Sequence, residues 1–379
     1  MQLKLRNHLK MDHRNLVIKL SSLALTQADG SINKKQLKAI AKDIATLKND
    51  YKFNIVVVSS GAINAGKRQL ENIKAEDRKN ISYLQACAAI GQPILIHHIQ
   101  KEFKKYNIDC AQLLVTHEDL KSKKRAHNIR GTLTHVVQSG IIPIINENDG
   151  VSFDEITVGD NDQLSAMISS LLGFKTLLML SSPNGLFESD PGVDKSAKHI
   201  SLIQFDDDFK ELKLITKSSA GRGGMKTKLQ AIRKLTPLGH NIILSSFKNK
   251  SPIISPLTED NGSLFLGAKS TGDTKKLSWL LTQVKDGRGV KIDEGAFKAL
   301  KKNSSLLPVG IKSTIGKFNR GDCIEIIFKN KVVAIGLSEY SQKEIEKMKG
   351  LKSKEVTELF PQYPSKVVIH KNNLMTKKV

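Results

Sequence analysis

The chain predicts an α/β fold: a mainly parallel open sheet sandwiched by helices, followed by a small β-barrel-like domain. Three observations carry this. Short apolar runs alternate with amphipathic stretches of helical period as far as residue 246, the pattern of a parallel sheet covered on both faces. From about Asp286 the character changes, and strand-like runs such as CIEIIF and KVVAIGL are separated by FNRGD and FKNK, as in a small β domain. A length of 379 residues exceeds what one core usually supports, so two domains are expected.

In order, LVIKL (16 to 20) reads as a strand, 33 to 49 as an amphipathic helix, and NIVVVSS (54 to 60) as a buried strand running into GAINAG. An apolar helix follows around 80 to 104, then strand CAQLLVT (110 to 116), a helix near 124 to 139, and strand IIPIINE (141 to 147). After an acidic loop come a helix to Leu172, strand TLLMLSS (176 to 182), a helix from Gly224 to Leu235, and strand NIILSS (241 to 246). The expected organisation is a basic extension over 1 to 15, an α/β domain over 16 to 268, a linker over 269 to 285, and the β domain over 286 to 379. His8 and His13 lie outside any ligand spacing.

Sixty Lys and Arg against 37 Asp and Glu give a net charge of +23, which suits anionic partners such as phosphates or acidic metabolites. Many lysines alternate with acids in helical patterns, where a solvated face is the default. Over 270 to 379 there are 22 Lys and Arg against 11 Asp and Glu, an excess that admits RNA as a partner. Aromatic interleaving is thin there, with Phe318, Phe328 and Tyr340 spaced like core residues, which favours a structural or regulatory role. Cys87, Cys110 and Cys323 have no zinc or redox spacing and read as buried free thiols of a reducing, cytoplasmic compartment. No apolar run approaches a membrane span, and the N-terminus lacks an apolar signal core.

In such a sheet, ligands bind at the carboxyl ends of the strands, and that is where the polar residues gather. Residues 141 to 169 set Asp149, Asp160 and Asp162 between Ile141, Ile142, Ile144 and Ile145 on one side and Leu164, Met167 and Ile168 on the other. This reads as an active-site rim, or as a helix capped by Asp160 or Asn161. Lys19, flanked by Val17, Ile18 and Leu20, must emerge at the sheet edge or meet an anion. Ser59, Ser60 and Gly61 open a helix whose free amides can hold an anion or merely cap it. GRGGMKTKLQAI combines three glycines with Lys226 and Lys228, a phosphate cradle or a plain turn. Together these are the parts phosphoryl transfer needs.

The motifs VIKL, VVVSSGAINAG, QACAAIGQPILI, AQLLVTHEDL, PIINENDGV, ITVGDNDQLSA, GGMKTKLQA, KIDEGAFKAL and SSLLPVGIKSTIGKFNRGD occur in the order found in the glutamate 5-kinase family. The chain resembles that branch of the amino acid kinases, with a C-terminal PUA domain, over about residues 15 to 370. The resemblance implies ATP-dependent phosphorylation of the side-chain carboxylate of L-glutamate to L-glutamyl 5-phosphate, the first step of proline biosynthesis. It implies that Lys19 and Lys228 neutralise the transferring phosphoryl group and that Asp162 holds both lysines. Ser60, Asp149 and Asn161 would bind glutamate, with Gly61 and Ala62 offering backbone amides. Ser181, Ser182, Arg222, Gly223, Gly224, Met225, Lys226, Thr227 and Lys228 would line the nucleotide site, together with Lys19. Mg2+ would bridge the ATP phosphates with few protein ligands, keeping waters.

The resemblance also implies a homo-oligomer, proline as a feedback inhibitor acting at the 147 to 162 loop, and a downstream glutamyl phosphate reductase. A carboxylate nucleophile is ionised at neutral pH, so no catalytic His or Cys is required. Three positions depart from the family pattern: Ser21 replaces a glycine, Ser182 an acid, and Arg222 a threonine. Kinases of another carboxylate or carbamate, and a degenerate kinase that binds RNA, are the alternatives.

Overall fold

The computed structural model describes residues 3–11, 14–70, 80–151, 160–189, 191–205, 224–268, 284–359, 361 and 366–376. The chain divides into two compact units, Met1–Thr271 and Gly272–Val379.

The first unit is built on an eight-stranded sheet. Its strands are β1 (Asn15–Leu20), β2 (Asn54–Val58), β3 (Cys110–Val115), β4 (Ile142–Glu147), β5 (Thr176–Ser181), β8 (Leu202–Ile203), β9 (Asn241–Ser246) and β10 (Ser263–Phe265); β6 (Leu186–Phe187) and β7 (His199–Ile200) form a separate small hairpin. The order is β3-β4-β2-β1-β5-β9-β10-β8. All neighbours are parallel except β9 and β10. Strands β4 and β5 are buried at every residue, as expected of strands covered on both faces.

The helices are α1 (Ser22–Leu25), α2 (Lys34–Asn49), α3 (Ala62–Lys67), α4 (Ile81–Lys104), α5 (His117–Lys121), α6 (Lys123–Gln138), α7 (Asp160–Leu172), α8 (Met225–Leu235) and α9 (Ile254–Thr258). Register sets the ends of the central strands level. Lys19 lies opposite Val58 of β2 and Met179 of β5, so Ser60 and Ser181 each sit two residues past Lys19's row. Between α3 and α4 the approach is close enough that a Cβ on Gly91 would stand 1.8 Å from the Ala62 carbonyl oxygen, and one on Gly66 1.9 Å from that of Cys87. These two glycines fix where α3 begins.

The basic N-terminal stretch, read as an extension, packs against the main core over its described part. Leu9 joins the main core, and the Arg6 guanidinium is buried against Asp260 at 3.2 Å, with the Asn261 and Ser201 carbonyls also accepting from it. Cys110 is half-buried, whereas Cys87 and Cys323 are buried; all three are free thiols. The linker expected at 269 to 285 lies outside the described residues up to 283.

The second unit is a mixed five-stranded sheet in the order β12-β11-β13-β14-β15, from β11 (Val284–Ile292), β12 (Ile311–Ile315), β13 (Cys323–Phe328), β14 (Lys331–Leu337) and β15 (Leu374–Thr376). Its own core includes Val290, Ile324, Ile326, Tyr340, Met348 and Ile369. Phe318 and Tyr340 are buried, and half-buried Phe328 stacks on Phe297 at 4.4 Å. Among the described residues of the whole chain, no helix is long and apolar enough to cross a membrane.

Candidate functional site

Three elements bring charged side chains to one point at the carboxyl end of β1. Lys19 comes from that strand, Asp162 from the first turn of α7, and Lys228 from the first turn of α8. Lys19 Nζ lies 2.6 Å from Asp162 Oδ1 and Lys228 Nζ 3.1 Å from Asp162 Oδ2, with Asp162 fully buried and both lysine side chains 6% exposed. Thr227 Oγ1 donates to the same Oδ2 at 3.0 Å, and Gln163 Nε2 donates to the Thr227 carbonyl, tying α7 to α8.

Burial alone would raise the Asp162 pKa; the Lys19 and Lys228 charges outweigh it and hold the carboxyl below its usual value. Desolvation pulls Lys228 below the ordinary ammonium value, against the opposing attraction of Asp162. Two buried ammonium groups thus share one carboxylate, leaving a local charge excess that favours an anion. Both Asp162 oxygens face ammonium groups.

A neutral cluster adjoins this triad. Asn161 Nδ2 donates to the Ser59 carbonyl at 2.7 Å, to Ser60 Oγ at 2.8 Å and to Asn146 Oδ1 at 2.9 Å. Asn161 therefore does not act as the helix cap: α7 already begins at Asp160, and the Asn161 side chain reaches across to the ends of β2 and β4. Gly61 adopts φ +100°, where a Cβ would be strained and would press on Thr26, and Ala62 opens α3. Asp149 sits half-buried in the turn just after β4.

The sequence reading missed Asn146. It is 1% exposed, its Oδ1 accepts from Asn161 Nδ2 and the Glu147 amide, and its Nδ2 is buried with no hydrogen-bond partner among the described residues. A buried donor without an acceptor is costly. The available signal was an Asn, at the end of β4, inside an otherwise apolar strand. Ser21 Oγ, next along the chain from β1, is likewise buried with no partner among the described residues.

The expected nucleotide residues are spread less tightly. Ser181 is buried and donates to the Pro183 carbonyl; the Ser182 carbonyl accepts from Ser246 Oγ. Gly224 caps α8, Met225 and Thr227 are half-buried, and Lys226 is exposed, two positions from Lys228 and on another face. Arg222 and Gly223 lie outside the described residues, as do 152 to 159 of the acidic loop and the side chain of Asp160.

Residues 14–244 match the amino acid kinase family and residues 289–360 the PUA domain. The glutamate 5-kinase of Caldanaerobacter subterraneus subsp. tengcongensis is 36% identical over 365 residues, covering 95% of this chain and 97% of that protein. That of Trichlorobacter lovleyi is 34% identical over 375 residues, covering 98% and 99%. Among solved structures, carbamate kinase from Giardia lamblia bound to AMP-PNP superposes with a TM-score of 0.50 at 16% identity, over 67% of this chain and 98% of that one, a likeness of fold. With a lysine pair bridged by a buried carboxylate at the strand ends and near full-length similarity to these enzymes, the chain belongs to the glutamate 5-kinase family of amino acid kinases and carries a C-terminal PUA domain.

Proposed function

We propose that this protein transfers the γ-phosphoryl group of ATP to the side-chain carboxylate of L-glutamate, giving L-glutamyl 5-phosphate and ADP at the entry to proline biosynthesis. The observation that carries the reading is the convergence of Lys19 and Lys228 on Asp162 beside the Ser60–Asn161 cluster.

Two anions must meet, so the barrier falls chiefly through positioning and through cationic and N–H groups aimed at the transferring phosphoryl. Lys19 stabilises that group from the strand side and Lys228 from the α8 side, while Asp162 holds both ammonium groups in range. Ser21 adds a hydroxyl donor. Ser60, Asn161 and Asn146, with the Gly61 and Ala62 amides, orient the acceptor, and Asp149 pairs with its α-ammonium. The glutamate carboxylate attacks the γ-phosphorus as the bond to the ADP oxygen breaks, and no proton has to move. Ser181, Ser182 and the 222 to 228 segment flank the nucleotide. Mg2+, when bound on the ATP phosphates, neutralises their charge.

Residues 16 to 268 form the catalytic domain of this reading, 269 to 285 its linker and 286 to 379 the PUA domain, with a structural or regulatory role. The assignment carries with it a cytoplasmic homo-oligomer, proline acting at the 147 to 162 loop, and a reductase that consumes the labile acyl phosphate. The test is hydroxylamine trapping of the acyl phosphate, with and without proline. ATP-dependent hydroxamate with L-glutamate, and not with aspartate or N-acetylglutamate, is the expected result. Equal turnover of the three acceptors would refute the substrate assignment.

A further inference from the structure

A buried carboxylate–imidazole contact adjoins the acceptor cluster. Glu147, the last residue of β4, places Oε2 2.9 Å from His117 Nδ1, at the start of α5; the side chains are 5% and 14% exposed. Successive strand residues face opposite sides of a sheet. Asn146 turns to Asn161, and its neighbour Glu147 turns to α5.

The backbone of Glu147 is held as firmly. Its amide donates to Asn146 Oδ1 at 3.0 Å, and its carbonyl accepts from Gln92 Nε2 of α4, whose Oε1 in turn accepts from Gln112 of β3. The Asp119 carboxylate accepts from the Thr116 amide and hydroxyl and from Arg125 of α6, and Glu118 is exposed. From α4 and β3 the facing groups are the neutral Gln92 and Gln112.

A buried carboxylate that loses its partner is driven to turn toward water. That turn would move the end of β4, and with it Asn146, whose Nδ2 has no partner among the described residues. We propose that Glu147 and His117 are positioning residues for the acceptor: their contact fixes the end of β4 and so aims Asn146 at the glutamate substrate. The inference rests on the kinase reading above.

Steady-state kinetics of the full-length H117A, E147A and E147Q variants test it. H117A and E147A are expected to raise KM for L-glutamate by about tenfold or more, with KM for ATP and kcat within about twofold of wild type. E147Q keeps the size of the side chain and an oxygen within reach of the imidazole, and is expected to stay within about threefold of wild type for both substrates. A parallel rise in both KM values, no change in H117A, or an E147Q as impaired as E147A would overturn the proposal. Absence of glutamate turnover in the wild-type protein would instead overturn the parent reading.

Discussion

Lys19 Nζ lies 2.6 Å from Asp162 Oδ1 in a place where neither side chain is more than 6% exposed. The second carboxylate oxygen serves Lys228 and Thr227. One acid thus fixes two cations contributed by β1 and α8. Asp162→Asn keeps the shape but removes the charge that holds both lysines. Turnover is expected to fall at least about 100-fold. Asp162→Ala, which strands two buried ammonium groups, should also cost about 3–5 kcal/mol of stability. Initial rates and urea denaturation of the two variants check both statements.

Asn146→Ala removes a buried donor that the proposed function assigns to the acceptor. kcat/KM for L-glutamate is expected to fall about 10- to 100-fold, the range for losing a hydrogen bond to a charged group, while KM for ATP holds. A change confined to ATP would move Asn146 to the nucleotide side.

Gly91→Ala would place a Cβ 1.8 Å from the Ala62 carbonyl oxygen. The overpacking is expected to cost about 1–3 kcal/mol. Because Ala62 opens α3, KM for L-glutamate should rise as well. A variant with wild-type stability and KM would show that α3 is free to shift.

His240 is fully buried beside Ser169, and burial, with Lys175 adding to it, lowers its pKa from 6.5 to about 3. Below pH 6.5 the unfolded chain takes up a proton that the folded chain refuses. The stability is complete above pH 6.5 and is lost as the pH falls toward about 3. At pH 5 the loss is about 2 kcal/mol. Denaturation of wild type and His240→Gln at pH 7 and pH 5 should show that acid-side loss in wild type and its reduction in the variant.

Most of the sheet was legible because its strands are apolar runs framed by helical periodicity. β1, read as 16 to 20, is Asn15–Leu20, and the helix read as 33 to 49 is Lys34–Asn49. What escaped depends on distant partners. β10 is three residues long and antiparallel to β9, too short to show a period. Arg6 drew no notice because the groups that bury it, Ser201 and Asp260 to Asn261, are remote in sequence. Asp43 drew no notice within its amphipathic helix, yet its carboxylate accepts from Ser251 Oγ and from the Ile253 and Ile254 amides at the start of α9. Within the site, Lys19, Asp162 and Asn161 stood out as polar residues in apolar surroundings. Asn146 did not, since only the geometry shows its amide nitrogen without a partner.

The most direct test is rapid-quench transfer of labelled γ-phosphate from ATP to L-glutamate by wild type, K19M, K228M and the double variant. Each single substitution is expected to slow the transfer step at least about 100-fold. The double variant should be much less impaired than the product of the two losses, because both lysines act through Asp162 on one phosphoryl group. A single variant transferring label within about threefold of the wild-type rate would contradict a shared site.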